Sequence, residues 1–239
     1  MSLGRDQGVV LRTWKLGEAH RIISLFTRDR GKIRAVAKGV RRTRSKFGAR
    51  LEPASHVAVQ LYEGRSELGI VTQAETLDRF AGLRSDLHRF AEASAMLEAV
   101  SQVAPDADPN PRLYEMLVRA LRTLDEHGSE LVLGAFFWKL LALEGFEPVV
   151  TECVSCGAEA GLCAFDPDEG GLLCSTCRRG RAVGPEAIEL LQLVLGGRLA
   201  EALARPTSPA THEVGQLAQA ALEHHLERRL RSLGVLEQT

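Results

Sequence analysis

The sequence predicts an α+β protein of more than one domain, in which a small β-barrel is followed by a helical region that a cysteine-rich module interrupts. Three observations predict this arrangement. Apolar and polar residues alternate in short runs near the N-terminus, and apolar residues then recur at helical spacing. All five cysteines of the 239-residue chain lie between Cys153 and Cys177. The chain is long enough to bury a core of its own.

Five short strands are predicted in residues 1–79. They are Gly8–Trp14, Arg21–Thr27, Gly31–Lys38, His56–Tyr62 and Leu68–Ala74. Glycine-containing turns separate them at Leu16–Glu18 and Asp29–Gly31, and Glu63–Arg65 is predicted to be a hairpin loop. Five strands are what the OB fold, a small barrel that binds oligonucleotides in many proteins, requires. We therefore expect an OB-fold DNA-binding domain over residues 1–79.

A run of basic residues, Arg28–Arg50, covers the third predicted strand and the loop after it. The run contains ten Lys and Arg residues and one acid, a net charge of +9 in a chain whose total is −1. Solvated protein surfaces usually mix positive and negative side chains, so this run indicates binding to a polyanion. Its length suits the backbone of a nucleic acid. The residues predicted to bind DNA are Lys32, Arg34, Lys38, Arg41, Arg42, Arg44, Lys46 and Arg50.

The third predicted strand has two different faces. Ile33, Ala35 and Ala37 alternate with the basic residues and are expected to face the barrel core. Trp14 and Phe47 are candidates for stacking on DNA bases, but such aromatic residues are more often part of a core, and the choice stays open.

Helical spacing begins beyond Leu77. The predicted helices are Asp86–Val103, Pro111–His127, Ser129–Glu144, Pro185–Leu195 and a long segment near His212–Leu233. The segment Ser129–Glu144 is apolar nearly all round but short for a membrane span, which predicts the central helix of a bundle. We expect one all-α domain composed of residues 80–150 and 181–239.

The cysteines follow a pattern that is typical of a zinc site. Cys153 and Cys156 form one pair with two residues between them, Cys174 and Cys177 form a second pair, and seventeen residues separate the pairs. Each pair suits a tight turn that directs two thiolates at one ion. The sequence therefore predicts one zinc ion per chain, held in an inserted zinc finger over residues 151–180. Four thiolates leave no open coordination position, so the zinc is expected to be structural.

The fifth cysteine, Cys163, lies outside both pairs and is predicted to be a small buried hydrophobic residue. A disulfide framework does not fit this chain, because the number of cysteines is odd and the chain is not short. The N-terminus has no apolar segment of the length that a secretory signal needs, so we expect the protein in the reducing cytoplasm.

Two rival functions stay open. The sequence contains no GxxxxGK[ST], HExxH or GxSxG motif, but Asp166, Asp168 and Glu169 are candidates for a metal-dependent nuclease. They lie inside the predicted zinc loop, where a solvated turn is the simpler interpretation. The second rival is a zinc-ribbon transcription regulator that reads duplex DNA, for which no obvious recognition-helix signature is found.

These parts together resemble the RecO family of bacterial DNA repair and recombination mediators. The resemblance rests on two parts of the chain. In the N-terminal part it rests on the stretch GVVLRTWKLGEAHRIISLFTRDRGKIRAVAKGVRRTRSKFGARLEP, and in the C-terminal part on the two cysteine pairs. The order of the parts agrees over essentially the whole chain. The resemblance implies an N-terminal OB fold, a helical domain and a zinc finger in a protein without enzymatic turnover.

The resemblance also implies partners. It implies that the protein binds single- and double-stranded DNA and anneals complementary strands. With RecR, it would help to load RecA onto DNA covered by single-strand-binding protein. It implies that the protein acts at the nucleoid in the cytoplasm. It implies no membrane partner and no small-molecule substrate.

Overall fold

The computed structural model describes residues 2–63, 68–129 and 131–234 of the chain. The N-terminal part is a closed barrel with the strand order β1-β2-β3-β5-β4. The strands are β1 Ser2–Leu16, β2 His20–Thr27, β3 Gly31–Ala37, β4 His56–Glu63 and β5 Gly69–Asp78. All neighbouring strands are antiparallel except β3 and β5, which pair in parallel. The five-stranded OB-type barrel is thus confirmed, while the loop predicted at Glu63–Arg65 lies largely outside the described residues.

The barrel closes around a core of alternating apolar side chains. On β3, Ala35 and Ala37 are fully buried and Ile33 packs against the same core, as the alternation predicted. A short 3-10 turn, Gly48–Leu51, follows the basic loop, and its neighbour Phe47 is buried together with Leu51 in that core. The loop after β3, which carries the basic residues, is therefore held against the barrel at its C-terminal end by the buried side chains of Phe47 and Leu51.

Three helices complete the first compact unit: α1 Ala81–Ser85, α2 Leu87–Val103 and α3 Pro111–His127. The carboxylate of Asp86 caps α2 by accepting hydrogen bonds from the backbone N–H groups of His88 and Arg89. Helices α2 and α3 begin and end close to the predicted positions, because capping residues and apolar periodicity are local signals, whereas the short helix α1 was not predicted.

A polar network that runs from buried His56 to exposed Arg122 links α3 to the barrel, and the sequence did not indicate it. The ring of His56 lies with Nδ1 2.5 Å from Asp78 Oδ2 and Nε2 2.8 Å from the Tyr114 hydroxyl. The guanidinium of Arg122 donates to the same Asp78 oxygen at 2.9 Å. Burial lowers the pKa of His56, although the Asp78 carboxylate raises it. Because a carboxylate only accepts, the Nδ1–H group donates to Asp78, and Nε2 faces the Tyr114 hydroxyl.

The second compact unit is built around α4 Leu131–Leu143, which is buried nearly all round. The unit also contains α5 Pro185–Leu195, α6 Leu199–Leu203, α7 Pro209–His225 and the small sheet of β6 Leu162–Asp166, β7 Gly171–Cys174 and β8 Arg181–Ala182. The indole Nε1 of Trp138 on α4 donates to the carbonyl of Val214 on α7 at 3.3 Å. The prediction of a central bundle helix in this part of the chain is confirmed.

Two glycines lie where α4 crosses α7, and they tolerate a methyl group differently. A Cβ at Gly134 would lie 2.9 Å from the backbone Cα of Gly215, whereas a Cβ at Gly215 would meet no atom within 4 Å. We expect Gly134→Ala to lower the free energy of unfolding by about 1–3 kcal/mol, because the two backbones must separate. Gly215→Ala, the matched control, should be neutral or stabilising by up to about 1 kcal/mol through helix propensity. Urea unfolding of both variants checks this, and equal effects would contradict the close crossing.

The last predicted helix is too long. The segment near His212–Leu233 was expected to be helical, but α7 begins after the Ser208 capping box and ends at His225. Glu227 adopts a φ of 50°, a left-handed conformation that stops an α-helix. The chain then places Leu230 and Leu233 in buried positions in the first unit, where Glu98 on α2 accepts hydrogen bonds from the backbone N–H groups of Arg231 and Ser232.

The compact units divide the chain after Glu126 and before Leu230. Helices α2 and α3 thus fall in the unit of the barrel, whereas α4 falls in the unit of the cysteine-rich sheet. The domain boundaries predicted at residues 79, 150 and 180 stay a prediction. No helix among the described residues is long and apolar enough to cross a membrane.

Candidate metal centre and nucleic-acid interface

The four paired cysteines meet in two tight turns. In the first turn, the N–H of Gly157 donates to the carbonyl of Cys153 at 2.8 Å, and the N–H of Cys153 donates to Ala158 at 2.8 Å. Gly157 takes a φ of 72°, which a residue with a side chain rarely adopts. The second turn follows β7 directly, so Cys174 is the last residue of a strand and Cys177 lies three residues beyond it. The turns bring the four sulfur atoms within 4.8 Å of one another.

The sulfur cluster fits a tetrahedral zinc ion. The sulfurs of Cys156 and Cys174 are 3.7 Å apart. Four sulfurs at about 2.3 Å from a common centre would be about 3.8 Å from each other, so the observed spacing is close to that of a zinc tetrahedron. Among the described residues this is the one group of three or more metal-ligating side chains within such reach. All four predicted ligands are therefore brought together, and Cys163 on β6 is outside the group.

The protonation of the thiols also favours a cation. A hydrogen bond from the Cys174 backbone lowers the pKa of Cys153 to about 6. The backbone of Ala158 acts in the same direction on Cys156, but the surrounding thiols outweigh it and raise the pKa of Cys156 to about 12. Four neighbouring thiols cannot all lose their protons in the absence of a positive charge, and a divalent ion removes this conflict.

The module around the cysteines has only a small core of its own. Cys153, Ala164, Leu173 and Cys174 are its buried members. The module is attached to the second unit through Phe165, whose ring meets that of Trp138 edge-on at 5.4 Å, and through Gln192, which donates to the carbonyl of Val150 at 2.8 Å. A core this small needs a further link, which the metal would supply.

The acidic residues between the two cysteine pairs are engaged in other contacts. Asp166 accepts a hydrogen bond from the backbone of Asp168 at 3.0 Å, and Arg179 approaches both Asp166 and Glu169. Asp168 pairs with His224 at 3.2 Å. These acids form no candidate metal cluster among the described residues, so the geometry offers no support for the nuclease alternative.

The predicted DNA-binding residues line the outer face of β3 and the loop after it. Seven of the eight are exposed: Arg34, Lys38, Arg41, Arg42, Arg44, Lys46 and Arg50. We call these seven residues the basic surface. Lys32 differs, because its side chain is only 17% exposed and its ammonium group donates to the carbonyl of Ser101 at 2.9 Å and lies 3.4 Å from Asp106. Lys32 therefore takes part in the packing of β3 against the loop that follows α2.

Some side chains of the basic surface are held in place by hydrogen bonds to the barrel, and others make no such contact. Arg41 donates to the carbonyl of Gly17, and Lys46 donates to Thr72 on β5 at 2.7 Å. Within the part of the chain that the structure describes, the side chains of Lys38, Arg42 and Arg44 have neither a hydrogen-bond nor an ion-pair partner, which makes them available to an anion. Whether they bind DNA stays a prediction.

The two aromatic candidates differ in exposure. Phe47 is 1% exposed and belongs to the barrel core, so it is an anchor of the basic loop and not a stacking residue. Trp14 is 38% exposed, with the guanidinium of Arg12 over its ring at 5.3 Å from the ring centre. Trp14 thus remains a candidate for base stacking.

Comparison with known protein families covers almost the whole chain. The family model for the recombination protein O N terminal matches residues 1–80, and that for the recombination protein O C terminal matches residues 84–234. The chain belongs to the RecO family. The two family models meet at α1, close to the predicted end of the barrel domain at residue 79.

Curated RecO proteins from several bacteria are similar along their full length. The protein from Streptomyces coelicolor is 45% identical over 99% of this chain and all of its own, and those from Nocardioides sp. and Thermobifida fusca are 44% identical over 98% and 99% of this chain and 99% of theirs. Each carries the name DNA repair protein RecO. The predicted family membership is confirmed.

Proposed function

We propose that this RecO family member is a DNA-binding recombination mediator without enzymatic turnover. It binds single- and double-stranded DNA, anneals complementary strands and, with RecR, helps to load RecA onto DNA coated by single-strand-binding protein. It acts in the cytoplasm. The observation that carries this proposal is the basic surface on an OB-type barrel, in a chain that belongs to a family of DNA repair proteins.

The geometry of the basic surface favours contacts to phosphates over base readout. β3 is a strand of seven residues, and the loop extends its outer face with further exposed cations. A row of flexible, positively charged side chains at the surface can contact successive phosphates of a nucleic acid. Base readout instead needs a structural element inside the major groove. We therefore infer binding that is largely independent of sequence, which separates a mediator from a transcription regulator.

The metal has a structural role in this proposal. Cys153, Cys156, Cys174 and Cys177 would hold one zinc ion, which would cross-link the two turns of the cysteine-rich module. A closed set of four thiolates leaves no position for a reacting water, so the zinc would take no part in chemistry.

An annealing assay tests the function directly. Two complementary oligonucleotides, one with a fluorophore and one with a quencher, are mixed with the full chain without nucleotide, in parallel with and without added Mg²⁺. We expect annealing to be faster than in the absence of protein, with both strands intact on a denaturing gel. Cleaved strands would support a nuclease, and a consensus sequence in a binding-site selection would support a regulator.

A further inference from the structure

We propose that a groove at one end of the barrel binds a nucleotide of single-stranded DNA and continues the basic surface. Its rim is formed by Arg50, Arg79 and Arg84. This inference rests on the proposed DNA-binding function and extends it, because Arg79 and Arg84 lie outside the basic run of the sequence.

The groove lies between three elements of the first unit and has a volume of about 510 Å³. The turn Gly48–Leu51 forms one wall, the end of β5 forms another, and α1 forms the third. Small residues, Ala49 and Ala81, line it together with Gly48. Because these residues have little or no side chain, they leave space for a flat apolar group such as the face of a base.

The electrostatics of the groove favour an anion. All three rim arginines are exposed. Asp78 is the one acid among the residues that line the groove, and its Oδ2 already accepts from Arg122 at 2.9 Å and lies 2.5 Å from the ring of His56. The negative charge of Asp78 is therefore already compensated by Arg122, and the rim keeps an excess of positive charge.

Two of the rim arginines are positioned by contacts that leave donors free. Arg84 donates through Nη2 to the hydroxyl of Ser55 at 2.8 Å, and Arg50 donates through Nη1 to the carbonyl of Phe47 at 3.2 Å. A guanidinium carries five N–H donors, so each arginine retains donors for a phosphate. Within the described residues Arg79 has no partner at all.

The groove continues the basic surface because Arg50 belongs to both. A strand that follows the loop from Lys38 to Lys46 would reach the turn Gly48–Leu51 and then the groove. A base can enter the groove only when it is unstacked and unpaired, which costs a duplex a few kcal/mol but costs a single strand much less. The geometry therefore points to a subsite that prefers single strands, whereas the basic surface itself accepts both.

Replacing Arg79 with glutamine in the full chain tests the subsite, because Arg79 has no structural contact to lose. Binding of fluorescein-labelled oligo(dT), and of a labelled duplex with the same number of phosphates, is measured by anisotropy over a range of salt concentrations. We expect Arg79→Gln to weaken oligo(dT) binding about fourfold at 0.15 M salt and to flatten the slope of log K against log salt by about 0.7. Duplex binding should change less than twofold.

Arg112→Gln is the matched control. Arg112 is also exposed, and it lies on α3 ten residues, or about 15 Å, before Arg122, the residue that reaches Asp78. This control should leave oligo(dT) binding unchanged. If Arg79→Gln behaved like Arg112→Gln, or if it weakened duplex and single-strand binding equally, the subsite would be refuted. The proposed DNA-binding function would still stand in either case, because that function depends on the separate charge reversal of Lys38 and Arg42 described below.

Discussion

Replacing Cys174 with serine is expected to release the zinc ion and to unfold the cysteine-rich module. Cys174 is 5% exposed at the end of β7, and its sulfur lies 3.7 Å from that of Cys156 in the first turn, so the substitution affects both turns. Zinc binding contributes about 10–16 kcal/mol to the folding of small zinc modules, far more than the small core here can replace. The zinc content measured by metal analysis should fall from one ion per chain to nearly none.

The matched control for this prediction is Cys163→Ser. Cys163 is half-buried on β6 and lies outside the sulfur cluster, so this variant should retain one zinc ion per chain. The second unit should also lose stability in Cys174→Ser, because Phe165 of the module packs against Trp138 of the central helix. Freshly purified wild-type protein with well under one zinc per chain would contradict the assignment.

Reversing the charges of Lys38 and Arg42 to glutamate is expected to weaken DNA binding strongly while the protein stays folded. Both side chains are exposed and have no partner within the described residues, so the folded state loses little. With about five to seven phosphate contacts in the wild type, log K should fall with log salt at a slope of about −4 to −6. Loss of two contacts should flatten the slope on duplex DNA by about two and lower the affinity at 0.15 M salt about 30-fold.

The control here reverses Arg112 and Arg119, two exposed residues of α3 that do not belong to the basic surface, and so applies the same change of net charge. It should reduce binding only by the weak long-range effect of net charge and should leave the salt slope unchanged. A folded Lys38→Glu/Arg42→Glu variant that anneals strands normally and keeps the original slope would place the DNA site elsewhere. Arg178, Arg179 and Arg181 of the cysteine-rich module would then be the next residues to test.

Several features of this protein follow from the sequence alone because their signals are local. Two residues between paired cysteines already fit a tight turn around a metal, and the structure brings these four sulfurs together. The alternation of apolar and basic residues predicted that Ala35 and Ala37 face inward and that the basic residues face outward. Apolar residues on nearly all sides of the predicted central helix predicted the burial of α4. Each of these signals depends on residues that are at most a few positions apart.

Other features were decided by contacts between residues that are distant in sequence. Lys32 belongs to the basic run, yet its ammonium group is held by Ser101, which lies 69 positions away. His56, Asp78 and Arg122 form one network from three elements, and no periodicity in any of these elements indicates it.

The same reason explains the groove at the end of the barrel. Arg50, Arg79 and Arg84 come from a turn, the end of a strand and a short helix, and they meet only because the barrel closes and brings β5 beside the basic loop. Local sequence determines which face a side chain takes on its own strand or helix. The closure of the sheet and the packing of helices on it determine which charged groups become neighbours, because Coulombic and hydrogen-bond energies depend on distance in space and not on distance along the chain.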